Sequence, residues 1–271
     1  MLNLPAGGAE TGGDTWVRLT TSKSSFGVTP KDVGGDYTVL ALGDHRPDGG
    51  KEVPPVFLKI RDAINADKGV FVIDGGGDLV YSGRVDEWSE LLKEWKWDKP
   101  IFISVGNHEY RGEGINVYHR FFGPMDYSFA LGGDYYYIFM DNVEHDYGLS
   151  DGQWSWLKDQ LERAKATGKR PVIIMHTPPV DPRPNGDHSM NSRDGKRLLE
   201  LMKEYNAFGI FSHIHIFWNG TVDGVHLIVT GGGGGGAPLY ARPDEGGFYH
   251  YVRLGMGSSG SVTVEPIKVE P

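Results

Sequence analysis

Short apolar runs that stop at a glycine or a polar residue recur along this chain, and each predicts a strand buried on both faces. Tyr37 to Leu42 stops at Gly43-Asp44, Val70 to Ile73 leads to Gly75-Gly76-Gly77-Asp78, and Ile101 to Val105 stops at Gly106-Asn107-His108. Tyr135 to Met140 is a fourth run, Val172 to Met175 stops at His176, and Phe208 to Phe211 leads to His213-Ile214-His215. Between them the apolar period lengthens to that of a helix. Phe57, Ile60, Ala63 and Ile64 mark Val56 to Ala66, and Trp88, Leu91, Leu92 and Trp95 mark a second helix. Trp154 to Ala164, with Ser150 as N-cap, and Leu198 to Tyr205 complete the set. Strands alternating with helices predict βαβ units and a largely parallel sheet.

The tail reads differently: Val225 to Thr230, Tyr249 to Leu254 and Val262 to Val269 are expected to be antiparallel strands separated by glycine and proline turns. Residues 1–35 read as an irregular N-terminal extension with one short strand at Trp16 to Thr20. No repeat and no long linker divides the chain, so residues 1–271 are expected to form a single domain.

Composition then removes whole classes of function. At 271 residues, 39% hydrophobic and 23% charged, the chain is an ordinary globular one. No apolar run approaches the ~20 residues of a membrane helix, so no membrane partner is expected. A net charge of −9 without a basic block argues against non-specific nucleic-acid binding, which needs clustered cations. With no cysteine there is no disulfide, thiolate metal site or cysteine nucleophile. The 40 glycines imply many tight loops, where sites are usually built. No signal-peptide pattern is present; the localisation stays open, a secreted or periplasmic origin included, and the oligomeric state is not readable.

In open α/β sheets ligands bind beyond the carboxyl ends of the strands. The polar residues found there are Asp44, Asp78, Asn107, His108, His176, His213 and His215, oxygen and imidazole donors suited to Zn, Mn, Fe or Mg. His119, His145, His226 and His250 read as ordinary surface or core residues. In their order and spacing these residues resemble the calcineurin-like metallophosphoesterase superfamily, and within it the purple acid phosphatase-like branch. The family's first motif, Gly-Asp-x-(His or Gly), appears as Gly43-Asp44-His45-Arg46, and the second as Gly77-Asp78-Leu79-Val80-Tyr81-Ser82-Gly83. The third is a full match, Gly106-Asn107-His108-Glu109; the fourth is His176; the fifth, normally Gly-His-x-His, is Ser212-His213-Ile214-His215.

That resemblance implies an α/β fold, a four-layer α/β/β/α sandwich with mixed sheets. It implies two metal ions bridged by Asp78, with Asp44 and His215 completing the first and Asn107, His176 and His213 holding the second. Arg46 departs from the pattern where many members have a metal-binding His. Tyr81, three residues after Asp78, takes the place of a purple acid phosphatase-like phenolate ligand, or packs in its loop. A phenolate favours Fe(III), with Fe(II), Zn or Mn as its companion. His45 is offset by one residue and its side chain is expected to point elsewhere.

The activity implied is hydrolysis of a small phosphoester by a hydroxide that bridges the metals, with phosphomonoesters first and phosphodiesters or nucleotides as the alternative. His108 would contact the phosphate and protonate the leaving group. Glu109 would orient His108, or is a solvated carboxylate. Arg46 would clamp a phosphate oxygen with its planar fork, or makes a structural ion pair. The loop from Thr177 to Asn191 would shape the leaving-group pocket, with His188 as a second proton donor. Tyr110, Tyr118, Phe121 and Phe122 offer aromatic faces for a base or aryl group. The Gly231–Gly236 run lacks the Lys-Ser/Thr of a phosphate loop and is expected to allow close backbone approach beside the site. The rival of another class is a non-catalytic interaction module, as in the retromer subunit with this fold; the presence of His108 weighs against it.

Overall fold

The computed structural model describes residues 33–236 and 242–271, so the expected strand Trp16 to Thr20 lies outside the described residues. In chain order the first half runs β1 (Tyr37–Leu42), α1 (Pro55–Ala66), β2 (Phe71–Asp74), α2 (Val85–Glu94), β3 (Ile101–Ile103), α3 (Gly114–Phe121) and β4 (Tyr127–Leu131). Then follow β5 (Tyr135–Phe139), α4 (Asp151–Ala166), β6 (Arg170–Ile174), α5 (Ser192–Glu204) and β7 (Phe208–Phe211). The chain ends with β8 (Phe217–Val222), β9 (Val225–Thr230), β10 (His250–Met256) and β11 (Val262–Lys268).

Two mixed sheets result, of order β11-β10-β1-β2-β3 and β4-β5-β6-β7-β9-β8. Alternation along each strand assigns its faces. Val39 and Ala41 of β1 point to the space between the sheets and meet Tyr137, Phe139, Val172 and Ile174 there. Leu40 and Leu42 point outward, to Phe57, Ile60 and Ile64 of α1 and Trp88 of α2. On the second sheet Ile138 and Ile173 face outward onto Trp154, Leu157 and Leu161 of α4 and Leu198 and Met202 of α5. Three apolar layers between four layers of elements make the expected α/β/β/α sandwich. Tyrosine hydroxyls tie the two sheets across this layer: Tyr37 meets Tyr137 at 2.9 Å, and Tyr127 donates to the Ile103 carbonyl at 2.9 Å.

Helix ends follow local chemistry. Pro55 opens α1 at the one position where a missing N–H costs nothing. Ser150 caps α4 in a reciprocal capping box with Gln153. The tail needs correction. β9 does not join β10 and β11 but lies in the other sheet, parallel to β7 and antiparallel to β8. β10 pairs antiparallel with β1, and β11 with β10, closing the first sheet.

Candidate metal centre

β1, β2 and β3 run parallel in one sheet, and β5, β6, β7 and β9 in the other. Their carboxyl ends open onto one cleft. Asp44 follows β1, Asp78 follows β2, Asn107 and His108 follow β3, His176 follows β6, and His213 with His215 follows β7. Asp44, Asp78 and His213 all adopt left-handed backbone, with φ of 58°, 47° and 64°. A non-glycine residue holds that conformation at a cost of order 1–3 kcal/mol, and such strain gathers at functional sites. Two successive i→i+2 bonds, Ile214 N–H to the Ser212 carbonyl and Ile216 N–H to that of Ile214, fold the His213–His215 segment. Ile214 between them in sequence turns into the core under α4 and α5, and the two imidazoles serve opposite ends of the cleft.

At one end Asp44, Asp78 and His215 bring one donor atom each within 4.8 Å of one another. Asp44 is fully buried. Its Oδ2 accepts the His213 backbone N–H at 2.8 Å, while Oδ1 is buried with no hydrogen bond. His215 Nε2 stands 3.9 Å from that orphaned oxygen. Burial, and then the charge of Asp78, push the Asp44 carboxyl well above the usual carboxylate range. A buried carboxylate oxygen without a partner is costly. Beside a second carboxylate and an imidazole, it is the donor set a hard cation fits.

At the other end His176 Nδ1–H donates to the Gly76 carbonyl, which leaves Nε2 as the acceptor on a neutral ring. That Nε2 lies 2.9 Å from Asn107 Oδ1, 2.9 Å from His213 Nδ1 and 3.8 Å from Asp78 Oδ1. Lone-pair donors spaced ~3 Å apart match neighbouring ligands on a metal with bonds of about 2.1 Å. Burial lowers the pKa of His176 and of His213, keeping both rings in the ligating form. Asp78 sits between the two ends. Burial alone would raise it, but the imidazoles of His176 and His108 hold it down at about 2.

His108 Nδ1–H donates to the Tyr81 carbonyl at 2.6 Å, so Nε2 faces the cleft, 3.8 Å from Asp78 Oδ2. Burial, and then the Arg46 charge, bring it down to about 4 against the pull of Asp78. Arg46 lies with Nε 3.6 Å from Asp78 Oδ2 and its guanidinium 5.3 Å from the Tyr81 ring centre. The Gly231–Gly236 run closes the first end as expected: Gly233 and Gly235 donate backbone N–H groups to the carbonyls of Gly43 and Asp44. A Cβ on Gly235 would stand 2.4 Å from the Asp44 carbonyl oxygen, closer than any side chain can come.

The calcineurin-like phosphoesterase family profile matches residues 37–217, about two thirds of the chain. The chain belongs to that family. The chain is 41% identical, over 73 residues, to a probable cyclic nucleotide phosphodiesterase of Synechococcus sp. (strain WH7803). The match spans 25% of this chain and 26% of that relative's length. Among solved structures it is similar to purple acid phosphatase PPD1 of yellow lupin, with a TM-score of 0.67 at 16% identity over 87% of this chain and 52% of that one. It is also similar to GAP50, the anchor in the inner membrane complex of Plasmodium, with a TM-score of 0.65 at 15% identity over 88% and 90%. A dimetal phosphatase from Danio rerio gives 0.61 at 13% identity over 86% and 99%. At such identities these structures share the fold alone.

The phosphoesterase fold brings together every ligand position the motifs named, with Tyr81 at the rim beside Arg46 and 5.4 Å from the His108 ring. Glu109 needs correction. It neither orients His108 nor faces solvent: fully buried, its carboxylate accepts backbone N–H groups of Asp78, Leu79 and Gly106 at 2.7–2.8 Å and a longer one from Val80. Burial, and then Asp78, push it up to about 8 while those amides pull it down. It fastens the Asp78 loop to the Asn107 loop.

The aromatic-platform reading also fails. Tyr118 and Phe122 are buried in the core under α2 and α3, Phe121 packs against that core, and the Tyr110 hydroxyl is tied to Asp141. His45 points away from the cleft, as expected, stacked 4.1 Å from Phe57 and bonded to Asp74 at 2.9 Å. His188 is held by Asp187, with its ring 5.5 Å from that of His213. Ser212, in place of glycine, is accommodated by donating its hydroxyl to the Thr230 carbonyl. Asn142, whose amide pairs both ways with the Thr177 backbone, and Tyr147, 5.6 Å from His213, complete the wall. The strand-end rule applied to Tyr135 to Met140 would have found Asn142. Nothing in the sequence marked Tyr147.

Proposed function

We propose that this chain is a phosphoester hydrolase working with two metal ions, and that phosphomonoesters are its first substrate class. One observation carries the reading: five donor side chains from four strand ends of two sheets converge on Asp78 at the end of β2, with Arg46 and His108 at the rim. Asp44, Asp78 and His215 would hold one ion, with Tyr81 as a further ligand, and Asp78, Asn107, His176 and His213 the other. Bound there, the pair supplies Lewis-acid activation of water and neutralisation of phosphoryl charge.

The chain's own groups do the rest. Arg46 presents a planar guanidinium to a phosphate oxygen. His108 keeps Nδ1–H on the Tyr81 carbonyl, so its proton exchange with the ester happens at Nε2. Its pKa near 4 leaves the ring neutral at pH 7, and an arriving phosphate dianion raises it, coupling protonation to substrate binding. The imidazolium so formed then passes its Nε2 proton to the leaving oxygen, only after the ester is seated, and returns to the neutral ring. Iron is the metal we infer for the first end, because carboxylate and phenolate oxygens suit a hard trivalent ion. Phosphodiester hydrolysis is the second reading, favoured by the phosphodiesterase relative. The test is turnover of an aryl phosphate monoester and a bis-aryl diester by purified protein of known metal content. Monoester turnover at least tenfold the faster supports the first reading, the reverse supports the second, and no turnover at two bound metals defeats both.

A further inference from the structure

Arg111 is the cation at this cleft for which no motif accounts. It lies three residues after His108 in the same turn, its N–H bonded to the His108 carbonyl, and it is exposed. Its Nη1 donates to the Tyr81 carbonyl at 3.2 Å, the same oxygen that takes the His108 Nδ1–H. Imidazole and guanidinium therefore converge on one acceptor. The guanidinium also lies 5.6 Å from the Tyr81 ring centre, and Arg46 lies 5.3 Å from the same ring. Each is within cation–π range, so one phenol ring braces two permanent cations beside the Asp78 carboxylate. No carboxylate pairs with Arg111 among the described residues. In a chain of net charge −9 that is a local reversal of sign.

We propose that Arg111, braced with Arg46 on Tyr81, is a specificity-determining residue that binds a second anionic group of the substrate, on the leaving-group side of the scissile phosphate. The side follows from the shared Tyr81 oxygen: Arg111 is tied to His108, the residue assigned to the leaving group, so the inference rests on the hydrolase reading. The substrate class is a phosphoester or phosphoanhydride whose leaving group carries a carboxylate or a phosphoryl group. One donor of five is used by Tyr81, and the others remain to grip two oxygens of such a group in the fork geometry.

Calorimetric titration of the manganese-loaded protein tests this without turnover. The probes are methylphosphonate, which has one anionic group, phosphonoacetate, which adds a carboxylate, and methylenediphosphonate, which adds a phosphoryl group. Wild type is expected to bind at least one of the two probes with a second anionic group about tenfold or more tightly than methylphosphonate, the value of a charge-assisted pair. Arg111→Ala erases that advantage, Arg111→Lys keeps part of it as a point charge, and Lys158→Ala, a distant exposed cation, keeps all of it. The probe that depends more on Arg111 identifies the group. Equal affinity for all three probes in wild type, or an advantage that survives Arg111→Ala or vanishes in Lys158→Ala, overturns the proposal. Failure to hydrolyse both phenyl phosphate and a bis-aryl diester while the binding pattern holds defeats the hydrolase reading alone.

Discussion

The two ends of the cleft are built from opposite chemistry. The Asp44 end is anionic, unsatisfied and braced: a carboxylate oxygen with no hydrogen bond, the Arg46 cation against Asp78, and a glycine strap pressed onto the Gly43–Arg46 loop. The His176 end is neutral, and its donors already touch one another at hydrogen-bond distance. Without a cation the first end has a charge problem and the second has only a lone-pair problem. A permanent cation has therefore been placed beside the first. The lesson is that Arg46 does not simply replace a missing ligand; it supports the end where repulsion between Asp44 and Asp78 is greatest.

The largest expected effect comes from removing the residue the two ends share. Asp78→Asn should lower metal content at both ends and abolish hydrolysis, by about 10³-fold or more if several kcal/mol of charge stabilisation disappears. Its fold should persist by circular dichroism, because the Asp78 backbone, not its carboxylate, is what Glu109 grips. Near-wild-type turnover would end the dinuclear reading. His108→Ala comes next. It should cost about 10²–10⁴-fold in kcat on an alkyl phosphate, less on a nitrophenyl ester, with both metals retained. Equal losses on the two esters would leave His108 as a phosphate contact and not as an acid.

The asymmetry is sharpened by Tyr81→Phe. If the phenol completes the Asp44 end, iron-loaded wild type should show a visible charge-transfer band that the variant lacks, and elemental analysis should find the first metal weakened more than the second. An unchanged spectrum would leave Tyr81 as the brace between Arg46 and Arg111 only.

The strand-end residues were legible because a buried strand is an unbroken apolar run, and the polar residue that ends it is plain in one dimension. The βαβ order and the capping box at Ser150 were legible for the same reason: their signals are local. What stayed hidden is set by partners far along the chain. α3 is only 8 residues long, and β8 is a half-exposed edge, so neither has the apolar repeat that reveals an element. The first turn of α5, Ser192 to Gly195, is polar and capped by Asn191, so apolar spacing finds that helix late. The apolar run of β9 reads as one more antiparallel tail strand, because nothing local in it shows the parallel pairing with β7. Glu109 was misread because its partners are backbone amides, which no residue type advertises. The His45–Asp74 pair likewise needs β1 and β2 side by side before it exists.

The smallest effect separates the histidines of the cleft from His250, a histidine buried just behind the glycine strap. His250 Nδ1–H donates to the Phe248 carbonyl at 2.9 Å, and Nε2 accepts from the Thr230 hydroxyl at 3.2 Å, so the neutral ring is fully satisfied without a metal. Burial holds it at about 4, below the ordinary 6.5. Between those values the unfolded chain binds a proton that the folded chain refuses, so stability rises with pH across this window and is lost as pH falls through it. The contribution is about 3 kcal/mol at most, at 1.36 kcal/mol per unit. His250→Asn keeps a donor near the Phe248 carbonyl and removes the titration. The variant should therefore lose some stability at pH 7 yet show a shallower fall in urea midpoint between pH 6.5 and 4. That difference in slope should be the same with and without chelator, whereas the slope contributed by His176 and His213 should change when metal is withdrawn. An acid slope identical in wild type and His250→Asn would show that His250 is not one of the groups that resist protonation in the fold.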